Sequence, residues 1–116
     1  RGKFRYKGKT DIEKKNLLKD SKSLEDAGVF AIVLECIERR ASKEITESIK
    51  IPTIGIGSSN FCDGQILVTD DLLGLTDTKI KFVKKYADLK SNMRKAVKKF
   101  KLDVKKGSYP SIKYSY

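Results

Sequence analysis

Histidine is absent from the 116 residues, and cysteine occurs only at positions 36 and 62. Two cysteines so far apart make no C-x-x-C pair, and with no histidine to complete a ligand set a zinc-type site is excluded. Cys36 and Cys62 therefore read as small buried hydrophobes in a reduced, cytosolic chain. Long apolar runs are missing too: none nears the roughly 18 to 20 residues needed to cross a bilayer. Nor is there a basic, apolar and small-residue succession of the kind that marks a signal peptide. No membrane partner is expected. The chain opens at Arg1 rather than at a methionine, as a fragment or a processed product would. No internal repeat or low-complexity segment is present.

Apolar residues make up 39% of the chain, enough for one core of modest size. The formal net charge is +11, which would ordinarily point to a polyanionic partner. Its distribution argues otherwise. Residues 76–116 hold 13 Lys/Arg against 3 Asp, whereas residues 1–75 hold 13 against 12 acids. The basicity belongs to the C-terminal region and does not characterise the whole chain.

The segment RGKFRYKGKT reads as a basic loop leading to an N-cap at Thr10 or Asp11. From Ile12 to Ala27, Leu17, Leu18, Ser21 and Leu24 recur at helical spacing, and Gly28 supplies the stop. VFAIVLE follows as a continuous apolar run, the pattern of a strand covered on both faces. Residues 40–50 return to helical spacing through Ala41, Ile45 and Ile49, and Pro52 forbids further helix. PTIGIGSS and GQILVT read as a second and a third strand. C-terminal helices are expected over 79–106, in two segments at about 79–89 and 91–106, with one apolar face marked by Phe82, Val83, Tyr86, Met93, Val97, Phe100 and Val104. Residues 107–116 read as a loose tail. Strands and helices alternating at this pace predict an α/β fold of about three parallel βα units, as in a doubly wound sheet or a (β/α)8 barrel.

Ligands of α/β folds sit at the carboxyl ends of the strands, which directs attention to the last residue of each. Along the first strand the period of two sets Ala31, Val33 and Glu35 on one face and Phe30, Ile32 and Leu34 on the other. The bulky face suits packing against helices, and the small face ending in Glu35 suits an interior. An isolated buried carboxylate costs several kcal/mol, so Glu35 either pairs with a neighbouring cation at the strand mouth or does chemistry there. On the second strand Gly55 and Gly57 fall together, opposite Ile54 and Ile56, and are expected on the inner face. Glycines there admit a ligand or another backbone. GIGSS fits a plain strand exit and equally a cradle of backbone N–H groups for a small ligand or phosphate. Asp63, Asp70 and Asp71 either face the same mouth or cap and turn the chain.

The succession LEDAGVFAIVLECI, KEITESIKIPTIGIGSS, CDGQILVTDDLLGL and KFVKKYADL, running from about Gly8 to Pro110, resembles the C-terminal portion of ketopantoate hydroxymethyltransferase. The resemblance implies a (β/α)8 TIM barrel, with the three strands as its sixth, seventh and eighth. It also implies a homodecamer, Mg²⁺ as cofactor and 5,10-methylenetetrahydrofolate as cosubstrate. The reaction implied is hydroxymethyl transfer to 3-methyl-2-oxobutanoate, early in pantothenate biosynthesis. Under it, Glu35 matches the strand-end glutamate proposed as the family's base, and Gly55 and Gly57 are candidates for substrate binding. The family's metal-binding carboxylates come from earlier strands, so no metal ligand is assigned in this chain.

The chain departs from the family pattern in three places. Gly57-Ser58-Ser59 stands where G-A-G is usual, Asp70-Asp71 where His-Asp is usual, and Glu38 where a proline is usual. Two further readings fit the sequence. One is a non-catalytic remnant whose basic helical tail binds a partner or nucleic acid; lysines interrupting an apolar helical face favour a solvated surface over a nucleic-acid site. The other is a keto-acid enzyme of the phosphoenolpyruvate-mutase type.

Overall fold

A computed structural model describes residues 5–116. They form two compact units. One runs to Leu67 and takes in Lys79–Val83; the other comprises Val68–Thr78 and Lys84–Tyr116.

In the first unit, helix α1 (Asp11–Asp26) starts where its caps are reciprocal. Thr10 Oγ1 accepts from Glu13 N at 3.1 Å, while the Glu13 carboxylate accepts from Gly8 N and Lys9 N at 3.0 and 2.9 Å. Together these satisfy three donors at the helix entry. The helix gives out at Gly28, whose φ of +88° is the left-handed geometry expected of a stop. Strand β1 (Ile32–Glu35) follows, then helix α2 (Arg39–Ser48), strand β2 (Thr53–Ile56) and the two-residue strand β3 (Gly64–Gln65). The strands form one parallel sheet in the order β1-β2-β3.

Helices α1 and α2 pack on each other. Ile32 and Leu34 of β1 are buried with Ala41 and Ile45 of α2 and with Ile49 just past its end, and Leu17 and Leu18 of α1 close the cluster. Ile45 is fully buried, so its truncation to alanine leaves a cavity worth about 2–5 kcal/mol. Glu25, near the end of α1, accepts a hydrogen bond from Lys50 N and so ties α1 to the turn after α2.

In the second unit a single turn, α3 (Thr69–Leu72), precedes the long helix α4 (Leu89–Lys105). Asp88 caps α4 by accepting from Ser91 N at 3.2 Å, and Asp77 pairs with Lys90.

The α/β class and the parallel strands agree with the sequence reading; several details do not. The third strand extends only over residues 64–65 and not through Thr69. Residues 79–88 are not helical. Phe82 lies against Gly57, and Tyr86 N donates to Leu72 O at 2.8 Å, so this segment is spent on tertiary contacts rather than on a helical ladder. Phe30, expected on the helix-packing face, precedes the strand and is 90% exposed. The tail, expected to be loose, turns back on α4. Ser108 N and Tyr109 N both donate to Asp103 O, and the Tyr109 ring meets Phe100 edge-on at 5.5 Å and Tyr114 at 6.2 Å.

Candidate functional site at the strand ends

Beyond the carboxyl ends of β1 and β2 lies a cleft of about 920 Å³. Its walls come from the β1–α2 connection (Cys36, Ile37, Glu38, Arg39), from the exit of β2 (residues 57–60), and from residues 79–82. Glu35 closes β1 with its side chain exposed, one residue short of the cleft wall.

Backbone hydrogen bonds shape the turn that follows Glu35. Cys36 N donates to Ile56 O at 2.9 Å, Cys36 O accepts from Lys7 N at 2.9 Å, and Glu38 N donates to Lys7 O at 2.7 Å. Between them Cys36 adopts a φ of 51°, a left-handed conformation uncommon for a residue with a side chain. Burial, and secondarily the negative charge of Glu35, push the Cys36 thiol above its usual range. Both effects favour the neutral thiol over the thiolate that a nucleophile requires. Cys62 is buried in the core.

Glu38 caps α2: its carboxylate accepts from Arg40 N at 2.8 Å and from Ala41 N at 3.1 Å. Its φ of −55° would suit a proline. A proline could neither cap the helix nor donate to Lys7 O. Arg39 lies over the Phe61 ring at 4.9 Å, with Lys43 at 4.8 Å from the same ring, so the cleft's rim carries a cation–π cluster.

The register separates two residues that the sequence pattern sets together. Leu34 pairs with Gly55, and Glu35 with Ile56. Partners in register share a face, so Gly55 belongs to the buried layer with Leu34 and Thr53, while Ile54 and Ile56 share the face of Val33 and Glu35. The expectation of an inner face lined by Gly55 and Gly57 is corrected accordingly. A Cβ on Gly55 would meet the Gln65 amide at 2.9 Å and Cys62 Sγ at 3.1 Å; its small size serves packing. Gly57 does line the cleft, with a φ of +64°.

Asp63 lies at the other end of the strands. Its carboxylate accepts from Thr53 N at 2.9 Å, at the start of β2. Asp71 accepts from Thr76 Oγ1 at 2.6 Å, and Asp70 sits beside it in the first turn of α3. Asp63 and Asp71 are thus used structurally. Among the described residues no group of three or more His, Cys, Asp or Glu gathers as a metal site, and no helix is long and apolar enough to cross a membrane.

Sequence reasoning missed Ser58, which reaches from the exit of β2 to the backbone on either side of Glu35 and Cys36. Its hydroxyl donates to Leu34 O at 2.6 Å and accepts from Ile37 N at 3.0 Å. Only the serine itself, at a strand exit where the resemblance sets an alanine, signalled it.

Among known proteins, the family model described as ketopantoate hydroxymethyltransferase matches residues 1–112. The 3-methyl-2-oxobutanoate hydroxymethyltransferase of Pelagibacter ubique is 55% identical over 113 residues, 97% of this chain and 44% of that protein. The enzymes of the same name from Clostridium botulinum and Thermotoga maritima are each 50% identical over 116 residues, 99% of this chain and 42% and 43% of theirs. The chain thus spans less than half the length of these curated relatives. With nearly every residue inside the family model, and with identity of this order, the chain belongs to the ketopantoate hydroxymethyltransferase family.

Proposed function

We propose that residues 1–116 are the C-terminal portion of a single (β/α)8 barrel whose whole transfers a hydroxymethyl group to 3-methyl-2-oxobutanoate, and that β1, β2 and β3 are its sixth, seventh and eighth strands. The observation that carries this is Glu35. Within a chain of this family, it ends a parallel strand on the sheet face that the helices leave uncovered, beside a cleft. Val33 on the same face is 57% exposed, which suits a surface completed by barrel strands from outside this chain. The two outer strands, β1 and β3, likewise leave edges that a closed barrel would pair.

In this reading the Glu35 carboxylate removes the proton from C3 of the keto acid, next to the carbonyl. Water adds to the methylene carbon of 5,10-methylenetetrahydrofolate and both of its C–N bonds break, giving tetrahydrofolate and formaldehyde. The enolate carbon then adds to the formaldehyde carbonyl, whose oxygen takes up the proton held by Glu35 and becomes the hydroxyl of 2-dehydropantoate. Backbone around Gly57 would help seat the substrate; Gly55 supports that wall from behind through Gln65 and Cys62. The Mg²⁺ that the family resemblance implies finds no gathered ligand set among the described residues, so no step is assigned through it here. The family resemblance also suggests a cytoplasmic homo-oligomer, a decamer, as the complete assembly.

The test is turnover of 3-methyl-2-oxobutanoate with methylenetetrahydrofolate by the full-length polypeptide, by its Glu35→Gln variant and by residues 1–116 alone. Expected are activity in the first, a loss of about 10² to 10⁴-fold in the second, and none in the third. Unimpaired Glu35→Gln turnover removes Glu35 from the mechanism; turnover by residues 1–116 alone refutes the need for the missing strands.

A further inference from the structure

We propose that Ser58 is a positioning residue: its hydroxyl clasps the turn that carries Glu35 and holds that carboxylate in its working orientation. This rests on the reading of Glu35 as the base and goes beyond it, because Ser58 touches the backbone around Glu35 and not the reacting atoms.

The geometry is specific. One hydroxyl makes both of its strongest interactions with a single turn, donating to Leu34 O at 2.6 Å and accepting from Ile37 N at 3.0 Å. Those two backbone groups bracket Glu35 and Cys36. Cys36 holds the sparsely populated φ of 51°, and residues in such conformations persist only where the surroundings over-determine them. Here the surroundings are Ser58 just past β2, Ile56 O on Cys36 N, and Lys7 N on Cys36 O. Two of these three ties come from the β2 exit. The third, Lys7, comes from the chain on the other side of β1, whose bridge pairs Lys7 with Ile37. Removing the hydroxyl orphans Ile37 N–H and frees the turn to relax, which tilts the Glu35 Cα–Cβ bond. Catalysis is sensitive to such tilts, since misplacement of a catalytic group by about 1 Å can cost about 10²-fold.

Ser58 also sits where the family resemblance sets an alanine. Alanine can make neither bond. The clasp is therefore a feature by which this chain stabilises its strand-end turn in its own way, with Glu38 as the second: Glu38 N binds Lys7 O where a proline would have no donor.

The experiment compares wild type, Ser58→Ala, Ser58→Thr and Glu35→Gln in the full-length polypeptide, with amide exchange at Ile37 and steady-state kinetics. Ile37 N–H should exchange faster in Ser58→Ala and stay protected in Ser58→Thr. In Ser58→Ala, kcat should fall about tenfold or more with KM within about twofold, because the lost contact orients the base and does not hold substrate. Ser58→Thr keeps the hydroxyl and should restore kcat to within about threefold. A purely structural role would move Tm, kcat and KM together with no rescue by threonine, and would overturn the proposal. Unchanged Ile37 exchange in Ser58→Ala would show that the clasp does not hold and would equally overturn it. Wild-type kcat in Ser58→Ala beside an inactive Glu35→Gln overturns positioning alone, whereas an active Glu35→Gln brings down the base reading and this proposal with it.

Discussion

Gly57 and Phe82 are in contact at the mouth of the strands: a Cβ added to Gly57 would lie 2.5 Å from Phe82 Cδ1. Gly57 also holds a φ of +64°, a conformation that a side chain disfavours. The segment 79–83 thereby joins the same compact unit as the sheet, although Val68–Thr78 intervenes and belongs to the other. Gly57→Ala should destabilise the full-length polypeptide by about 2–3 kcal/mol in urea unfolding, about 1 from the backbone and the rest from displacing the ring. In the double variant Gly57→Ala with Phe82→Ala, the clash part should vanish and the single costs should not add. Additive costs would mean that the ring does not constrain Gly57.

At Glu38 the departure from the proline that the family resemblance sets there can be weighed directly. Glu38→Ala removes the α2 cap and should cost about 1 kcal/mol. Glu38→Pro removes the cap and the N–H that donates to Lys7 O as well, so it should cost more than alanine even though φ suits the ring. A proline variant as stable as wild type by chemical denaturation would show that the Lys7 contact adds nothing.

Helices α1 and α2 and the open face of Glu35 were legible because periodicity reports burial; the strand order came only from the family resemblance. Ala41, Ile45 and Ile49 at four-residue spacing, and Ile32 and Leu34 at alternation, say which side faces the core. Strand register was not legible: nothing in TIGIG says that Gly55 lies opposite Leu34 rather than Glu35, since a shift of one residue exchanges the faces. The segment 79–88 misled for a related reason. Its apolar residues have helical spacing, but Phe82 is held by a glycine distant in sequence. Ser58 was invisible as a clasp because its two partners are backbone atoms, which leave no trace in side-chain pattern.

The carboxylates of Glu13 and Glu25 titrate below their ordinary 4.5, chiefly because each accepts a backbone hydrogen bond, from Lys9 N and from Lys50 N respectively. A depressed folded pKa contributes stability that is present above 4.5 and lost as pH falls through the folded value. Wild type should therefore lose stability on acidification more steeply than Glu13→Gln or Glu25→Gln, each of which is weaker at pH 7 and less pH-dependent below 4.5. Cys36 has the opposite sign. Its raised thiol pKa gives stability that is complete below the ordinary 9.0 and is lost as pH rises through the folded value. Alkylation of Cys36 in folded protein should accordingly lag behind a free thiol at pH 8 to 9. Acid profiles of the variants that run parallel to wild type, or Cys36 alkylation as fast as in unfolded chain, would contradict these signs.

The basic C-terminal helix should be a solvated surface and not a nucleic-acid site. Lys95, Lys98 and Lys99 are exposed along α4, but so are Met93, Val97 and Phe100, at 59%, 65% and 56%, and this apolar stripe is better suited to packing than to phosphate. Of the tail aromatics that could stack on bases, Tyr109 is engaged with both Phe100 and Tyr114, and Tyr116 is exposed. Nonspecific attraction from the charge excess remains, and it must fade with salt, since each phosphate contact contributes a slope of about −0.9 in log K against log salt. Fluorescence anisotropy with a labelled 20-base-pair duplex (about two helical turns, long enough for the roughly 6–10 phosphate contacts of a typical binder) should give weak binding at low salt. At physiological salt the affinity should be no tighter than the nonspecific range of about 10⁻⁴ to 10⁻⁶ M. Replacing Lys95, Lys98 and Lys99 by glutamine should flatten the salt slope while leaving hydroxymethyl transfer by the full-length polypeptide unchanged. Sub-micromolar binding at physiological salt that these substitutions abolish would instead make α4 a nucleic-acid interface, and would favour a chain kept for its tail over one kept for Glu35.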